Sequence, residues 1–191
     1  MLNQIAQLLL VNAFGLLVYA LLLRFYMQVL RAPFRNPVGQ LVAALTNWIV
    51  IPARRAIPGL AGIDLATILV AWIVQALMLT LMFWLSGKPL IATAMGAAAG
   101  LLFGLAAIEL LQASLYLLIG VVIVHVLLGW FNPHTPLAPI FDALTRPFYG
   151  LFRRFIPPIG NVDFSPLLVV IVAQVLLIPI GTLVRMIEGP F

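Results

Sequence analysis

The residues able to do chemistry are few, and most of them occur twice at one spacing. Arg54 and Arg55 precede Ile57-Pro58 and then Asp64; Arg153 and Arg154 precede Ile156-Pro157 and then Asp163 and Ser165. Each landmark returns 99 positions later, 54 to 153 and 64 to 163, as do Thr46 to Thr145 and Gln75 to Gln174. Two arginines ahead of a carboxylate at a helix start admit two chemistries. In the structural one, the carboxylate caps the helix and pairs with a guanidinium, fixing the angle of the loop. In the other, the arginines and the helix N-terminus bind an anion or a phospholipid headgroup. Both can hold together.

The remaining polar groups lie inside apolar runs. Gln75 and Gln174 each follow the aspartate by eleven residues, three turns on the same face and about 16 Å deeper. There they can hydrogen-bond between helices or line a hydrated ion path. Glu109 is the one acid in a long apolar stretch, which makes it a functional candidate or the mark of a hairpin turn that water reaches. His125 and His134 are too scattered for a metal site. Ser86 and Ser114 have no nucleophile-elbow context, and Ser165-Pro166 reads as a helix cap followed by proline. Aspartates kept ionised by neighbouring arginines suit neither general-acid nor shared-proton chemistry. Neither catalysis nor a cofactor is expected.

Elements that can position these groups follow from composition. Of 191 residues, 64% are hydrophobic and 8% charged, with a mean hydropathy of +1.20. That apolar surface cannot be hidden in a water-soluble fold, so the class is a polytopic all-α membrane protein. The formal charge of +5 sits in inter-helix loops, where it sets topology and meets anionic lipid without implying nucleic acid. There is no cysteine, which removes disulfides and thiolate chemistry. No basic residue precedes the first apolar run, so that run reads as a retained helix and not a cleaved signal.

A 99-residue period is too long for a solenoid and describes two homologous membrane repeats. Each comprises two spanning helices joined by an amphipathic interfacial helix. The first repeat covers 1–86: a span from Ile5 to Leu23 reaching about Leu30, an interfacial stripe of Val38, Leu41, Val42, Leu45 and Ile49, and a span from Asp64 to Leu85. Arg24 is expected to snorkel to the interface at the end of its span. The second repeat covers 108–191: a span from Ile108 to Phe131, a stripe of Leu137, Ile140, Phe141, Leu144 and Phe148 opened by Pro136, and a span from Leu167 to Val184. His125 takes the place of Arg24, and Asn132-Pro133 that of Asn36-Pro37. Pro52, Pro58, Pro147, Pro157 and Pro158 are expected to divide the loops into short interfacial pieces.

The linker at 87–107 decides the symmetry. Gly96, Gly100 and Gly104 stand at four-residue spacing, a small-residue face for close helix packing, including packing between copies in a homo-oligomer. If the linker is re-entrant, there are four spans and the repeats are parallel; if it crosses, there are five and the repeats are inverted. Arg31, Arg35, Arg54 and Arg55 in one loop, and Arg146, Arg153 and Arg154 in the other, both favour the cytoplasm. Four spans with both termini outside are therefore favoured.

The duplicated Arg-Arg-x-Ile-Pro with a following Asp resembles the YggT family, also called YlmG. The second copy, Leu144-Thr145-Arg146-Pro147 with Arg153-Arg154-Phe155-Ile156-Pro157 and Asp163-Phe164-Ser165-Pro166, carries the full pattern. The first departs from it at Asn47-Trp48 and at Asp64-Leu65-Ala66-Thr67. The resemblance implies a multi-pass protein of the bacterial inner membrane. It also implies an association with osmotic-stress tolerance, ion homeostasis and cell division, with no settled molecular activity. Two functions are therefore carried forward. One is a scaffold or assembly factor that engages anionic headgroups or an unidentified membrane-protein partner through its basic loops. The other is an oligomeric ion channel or transport-related protein.

Overall fold

The computed structural model describes residues 2–57, 59, 63–87, 95–132, 135–155 and 163–188. All six of its elements are helices: α1 (Leu2–Val29), α2 (Pro37–Ala56), α3 (Leu65–Leu85), α4 (Met95–Phe131), α5 (Ala138–Arg153) and α6 (Ser165–Glu188). Four of them, α1, α3, α4 and α6, are long and apolar enough to cross a membrane. With 28 residues, α1 is about 42 Å long, more than the ~30 Å hydrocarbon core requires. The other two helices, α2 and α5, are the amphipathic connectors of the two repeats.

Local chemistry sets the boundaries. Past the end of α1, Arg31 takes a left-handed φ of 54°, and Ala32 N–H donates to Met27 O at 2.8 Å. This closure satisfies carbonyls the helix would otherwise leave open. The Asn36 side chain then accepts from Gly39 N–H at 2.7 Å with Pro37 in the first turn, so α2 starts as a capped, proline-opened helix. Gly39 is obligatory there: a Cβ at this position would overlap the carbonyl of Phe34.

Packing reveals the symmetry. At one end of the bundle, Met27 and Ala32 from α1 and its turn meet Val121 of α4 and Ile140 and Leu144 of α5. At the other end, Ala76 and Leu79 of α3 meet Leu105 and Ala106 of α4, with Val184 and Ile187 of α6 against them. The C-terminal ends of α1 and α4 therefore lie at one end of the bundle, and the two interfacial helices lie at that same end. The repeats are parallel. Between the ends, Val18, Leu21 and Leu22 of α1 pack on Val70, Ala71 and Val74 of α3, with Val50 of α2 and Leu110 of α4 closing the cluster.

Three expectations are corrected. Pro52 and Pro147 do not break the chain but lie inside α2 and α5, because the apolar face of each helix is held down along its whole length. Pro58, Pro157 and Pro158 fall outside the described residues. Pro136 precedes α5 by two residues instead of opening it. Residues 95–107 form neither a re-entrant arm nor an extra span. They are the first turns of α4, a helix of 37 residues, because no proline stands between Met95 and Phe131 to break it.

Candidate functional site

The two Arg–Asp motifs adopt one geometry. Arg54 Nε and Nη2 both donate to Asp64 Oδ2, at 3.0 and 2.5 Å. Its Oδ1 accepts the Thr67 backbone N–H at 3.3 Å, capping α3. In the second copy, Arg153 Nε and Nη2 donate to Asp163 Oδ2 at 3.0 and 2.6 Å. There Oδ1 accepts from the Ser165 N–H at 2.9 Å. In both repeats, one carboxylate oxygen holds the interfacial helix and the other holds the start of the next span. Burial works to raise the pKa of each aspartate. The donors outweigh it, Arg54 and Thr67 on Asp64 and Ser165 and Arg153 on Asp163, so both sit below the usual carboxylate range.

Ser165 was expected to cap α6 and does not: it is the first residue of the helix, and the carboxylate of Asp163 takes the free donor. The second arginine of each pair, Arg55 or Arg154, is exposed. Each motif thus divides its arginines, the first spent on the aspartate and the second turned outward.

Behind each clamp, a polar side chain of the preceding span reaches the interfacial helix. Arg24 Nη1 donates to Thr46 Oγ1 at 2.6 Å and to Asn47 Oδ1 at 2.8 Å. Arg24 is only 6% exposed and Thr46 fully buried, so the expected snorkelling is replaced by a lateral contact: α2 lies over the guanidinium. In the second repeat, His125 Nδ1 lies 2.9 Å from Thr145 Oγ1, and the ring stacks on Tyr149 with centroids 5.5 Å apart. Each threonine hydroxyl donates its own proton backward along its helix, to Val42 O at 2.6 Å or Phe141 O at 2.8 Å. Its lone pairs are thereby left for the polar group of the span. Arg153 also lies over the Tyr149 ring, 5.7 Å from its centroid, and burial pushes the Tyr149 phenol up to about 12.

Gln28, one turn beyond Arg24, completes the first clamp. With its amide oriented to satisfy both partners, it donates to Asp64 Oδ2 at 2.8 Å and accepts from the Arg54 guanidinium.

The intramembrane polar residues part company. Gln75 is buried and donates to Glu109 Oε2 on α4 at 2.5 Å. Gln174, its counterpart by sequence, is exposed on the outer side of α6. The difference is tertiary: α3 packs against α4 of the next repeat, whereas among the described residues α6 packs chiefly on α4 and α5 of its own. Gly100 and Gly104 are exposed and a Cβ at either meets nothing within 4 Å, so they make no close helix approach within the chain. The surroundings of Gly96, and His134 altogether, fall outside the described residues.

Sequence reasoning missed the partners that complete the clamps: Thr46, Thr145, Gln28, Thr67 and Tyr149. One signal was available. Thr46 and Thr145 are polar, recur 99 positions apart, and lie among the apolar residues of otherwise amphipathic helices.

The family model CCB3/YggT matches the chain over residues 3–85 and again over 104–184, one match for each set of three helices. An uncharacterized protein in the proC 3' region of Vibrio alginolyticus is 32% identical over 162 residues, 84% of this chain and 85% of its own. The uncharacterized protein YggT of Escherichia coli (strain K12) is 33% identical over 158 residues, 82% of this chain and 78% of its own. The uncharacterized protein PA0392 of Pseudomonas aeruginosa is 30% identical over 148 residues, 76% and 73% of the two chains. No solved structure matches.

Proposed function

The chain belongs to the CCB3/YggT family, and on that premise we propose that it is a non-catalytic membrane scaffold whose two clamped loops form one basic docking face. The observation that carries the reading is the shared side of α2 and α5, packed together with the ends of α1 and α4. Arg55 and Arg154 are exposed beside their clamps, free for anionic headgroups or an acidic partner surface. A loop pinned by an ion pair and a helix cap presents such a charge at a fixed angle and depth. By the excess of arginine, this face is cytoplasmic and the membrane is the bacterial inner membrane. Roles in osmotic tolerance or cell division would follow from what docks there.

The ion-path reading has weaker support. Gln75 and Glu109 are bonded to one another, and Gln174 faces outward. Single cysteines placed beside Arg54 and Arg153, labelled from each side of sealed vesicles, test the proposal together with ion flux in proteoliposomes. The scaffold reading expects both sites to label from the cytoplasmic side and no flux above empty vesicles. Labelling from opposite sides, or flux abolished by Glu109→Ala, would replace it with transport.

A further inference from the structure

The two repeats share a clamp but do not fill the space beside it equally. In the first, the space is bounded by Gln28, Arg54 and Asp64 and amounts to about 380 Å³. In the second, a groove of about 880 Å³ opens between α4 and α6, lined by His125, Gly129, Trp130, Arg153 and Asp163 at one end. Its apolar walls continue along Val126, Leu167 and Val170.

The register of the two spans explains the difference. Arg24 and His125 occupy one position, because each reaches the threonine of its own interfacial helix. Three residues before them, Leu21 and Val122 are both buried. Four residues after them stand Gln28 and Gly129. Gln28 closes the first clamp onto its own Arg–Asp pair; Gly129 has no side chain to do so. A long guanidinium has become an imidazole, and an amide has become a hydrogen.

We propose that this groove holds one phospholipid, its phosphate on Arg153 and one acyl chain along the wall between α4 and α6. Its phosphate takes toward Arg153 the acceptor role that the Gln28 carbonyl oxygen fills toward Arg54 in the first repeat. Several features select this occupant. Arg153 uses Nε and Nη2 on Asp163, which leaves Nη1 without a hydrogen bond among the described residues. Its side chain is 51% exposed, and Arg154, the next residue in the chain, is exposed too. From Trp130 back to Val122 the groove runs about 12 Å, polar at the interface end and apolar toward the bilayer centre. That gradient suits a phosphate ester with a chain attached, and it is too short to seat another spanning helix. Trp130 is 77% exposed at the mouth, where an indole favours the headgroup level. The inference goes beyond the docking-face reading and does not need it, since a scaffold and a transporter could equally hold such a lipid.

The test is native mass spectrometry of the delipidated full chain titrated with phosphatidylglycerol, with Gly129→Gln and Gly129→Ala as the decisive pair. A Cβ at Gly129 meets nothing within 4 Å, so both variants should fold, which thermal unfolding checks. One tightly retained lipid per chain is expected for the parent and for Gly129→Ala. For Gly129→Gln the affinity should fall by about tenfold or more, equivalent to about 1.4 kcal/mol. Arg153→Gln should weaken retention likewise. Equal retention by Gly129→Gln, or by Arg153→Gln, overturns the proposal. Inorganic phosphate that displaces the lipid as well as a second phospholipid does also overturns it, because the site is then an anion site with no role for the acyl chain. None of these outcomes touches the labelling or flux results, so the two readings fail separately.

Discussion

Arg24 Nη1 lies 2.6 Å from Thr46 Oγ1, and that contact ties a spanning helix to the helix lying across its end. Its environment is dry: Thr46 is fully buried and Arg24 nearly so. A buried cation is costly unless its donors are used, and removing one acceptor leaves the charge behind. Thr46→Val keeps the shape and deletes the acceptor. It is expected to lower stability by about 2 kcal/mol, read from unfolding in detergent. Thr145→Val, facing an imidazole instead of a guanidinium, is expected to cost less. Equal losses would mean that the cation contributes nothing to the first contact.

The aspartate clamps give a pH dependence of definite sign. Both carboxyls have folded-state pKa values below their ordinary ones. Each therefore contributes stability above the unfolded value, near 4, and loses that contribution as pH falls through the lower folded value. Unfolding midpoints should drop on acidification through this window. Asp64→Asn and Asp163→Asn should each flatten part of the drop. Asp64 is the less exposed, 12% against 28% for its side chain, and has Gln28 and Thr67 as further partners. Asp64→Asn should therefore have the larger effect at neutral pH.

Much of this was written in the sequence. The 99-residue offset exposes the repeat because the clamp needs a fixed separation: its partners stand ten positions apart in both copies. Asn36 and Asp64 announce helix starts by local hydrogen bonding, which is why those ends were legible. Arg24 was not, because a cation after an apolar run reads as interfacial until a second helix is laid over it. Pro52 was not, since its tendency to break a helix is intrinsic while the packing that overrides it is tertiary. Gln174 shares the register of Gln75 but lacks a third repeat to pack against. Nothing local distinguishes them.

Gly39 and Gly104 are two helical glycines with opposite expectations. A Cβ at Gly39 runs into the backbone of Phe34, which cannot swing aside. Gly39→Ala is therefore expected to destabilise by about 1–3 kcal/mol, as other forced overpacking does. At Gly104 the same atom meets nothing, and Gly104→Ala should stabilise by about 0.5–1 kcal/mol through the unfolded chain and helix propensity. A large loss at Gly104 would instead reveal a close contact with a second copy of the chain, detectable as a change in oligomeric mass.

Gln75 and Gln174 distinguish packing from permeation. Gln75 hydrogen-bonds Glu109 across the α3–α4 contact, one of the interfaces that join the two repeats. Such bonds between spanning helices contribute about 0.6 kcal/mol on average and up to about 1.7. Gln75→Leu should lower stability by that order, and more where it leaves the Glu109 carboxyl short of a donor. Gln174→Leu removes an exposed amide from an apolar face and should be neutral or stabilising. In proteoliposomes neither substitution should alter ion flux, because an amide bonded to its neighbour and an amide on the outer surface line no common path. A flux that Gln75→Leu and Gln174→Leu both abolish would place the two residues on one pathway through an oligomer, and the scaffold reading would fall.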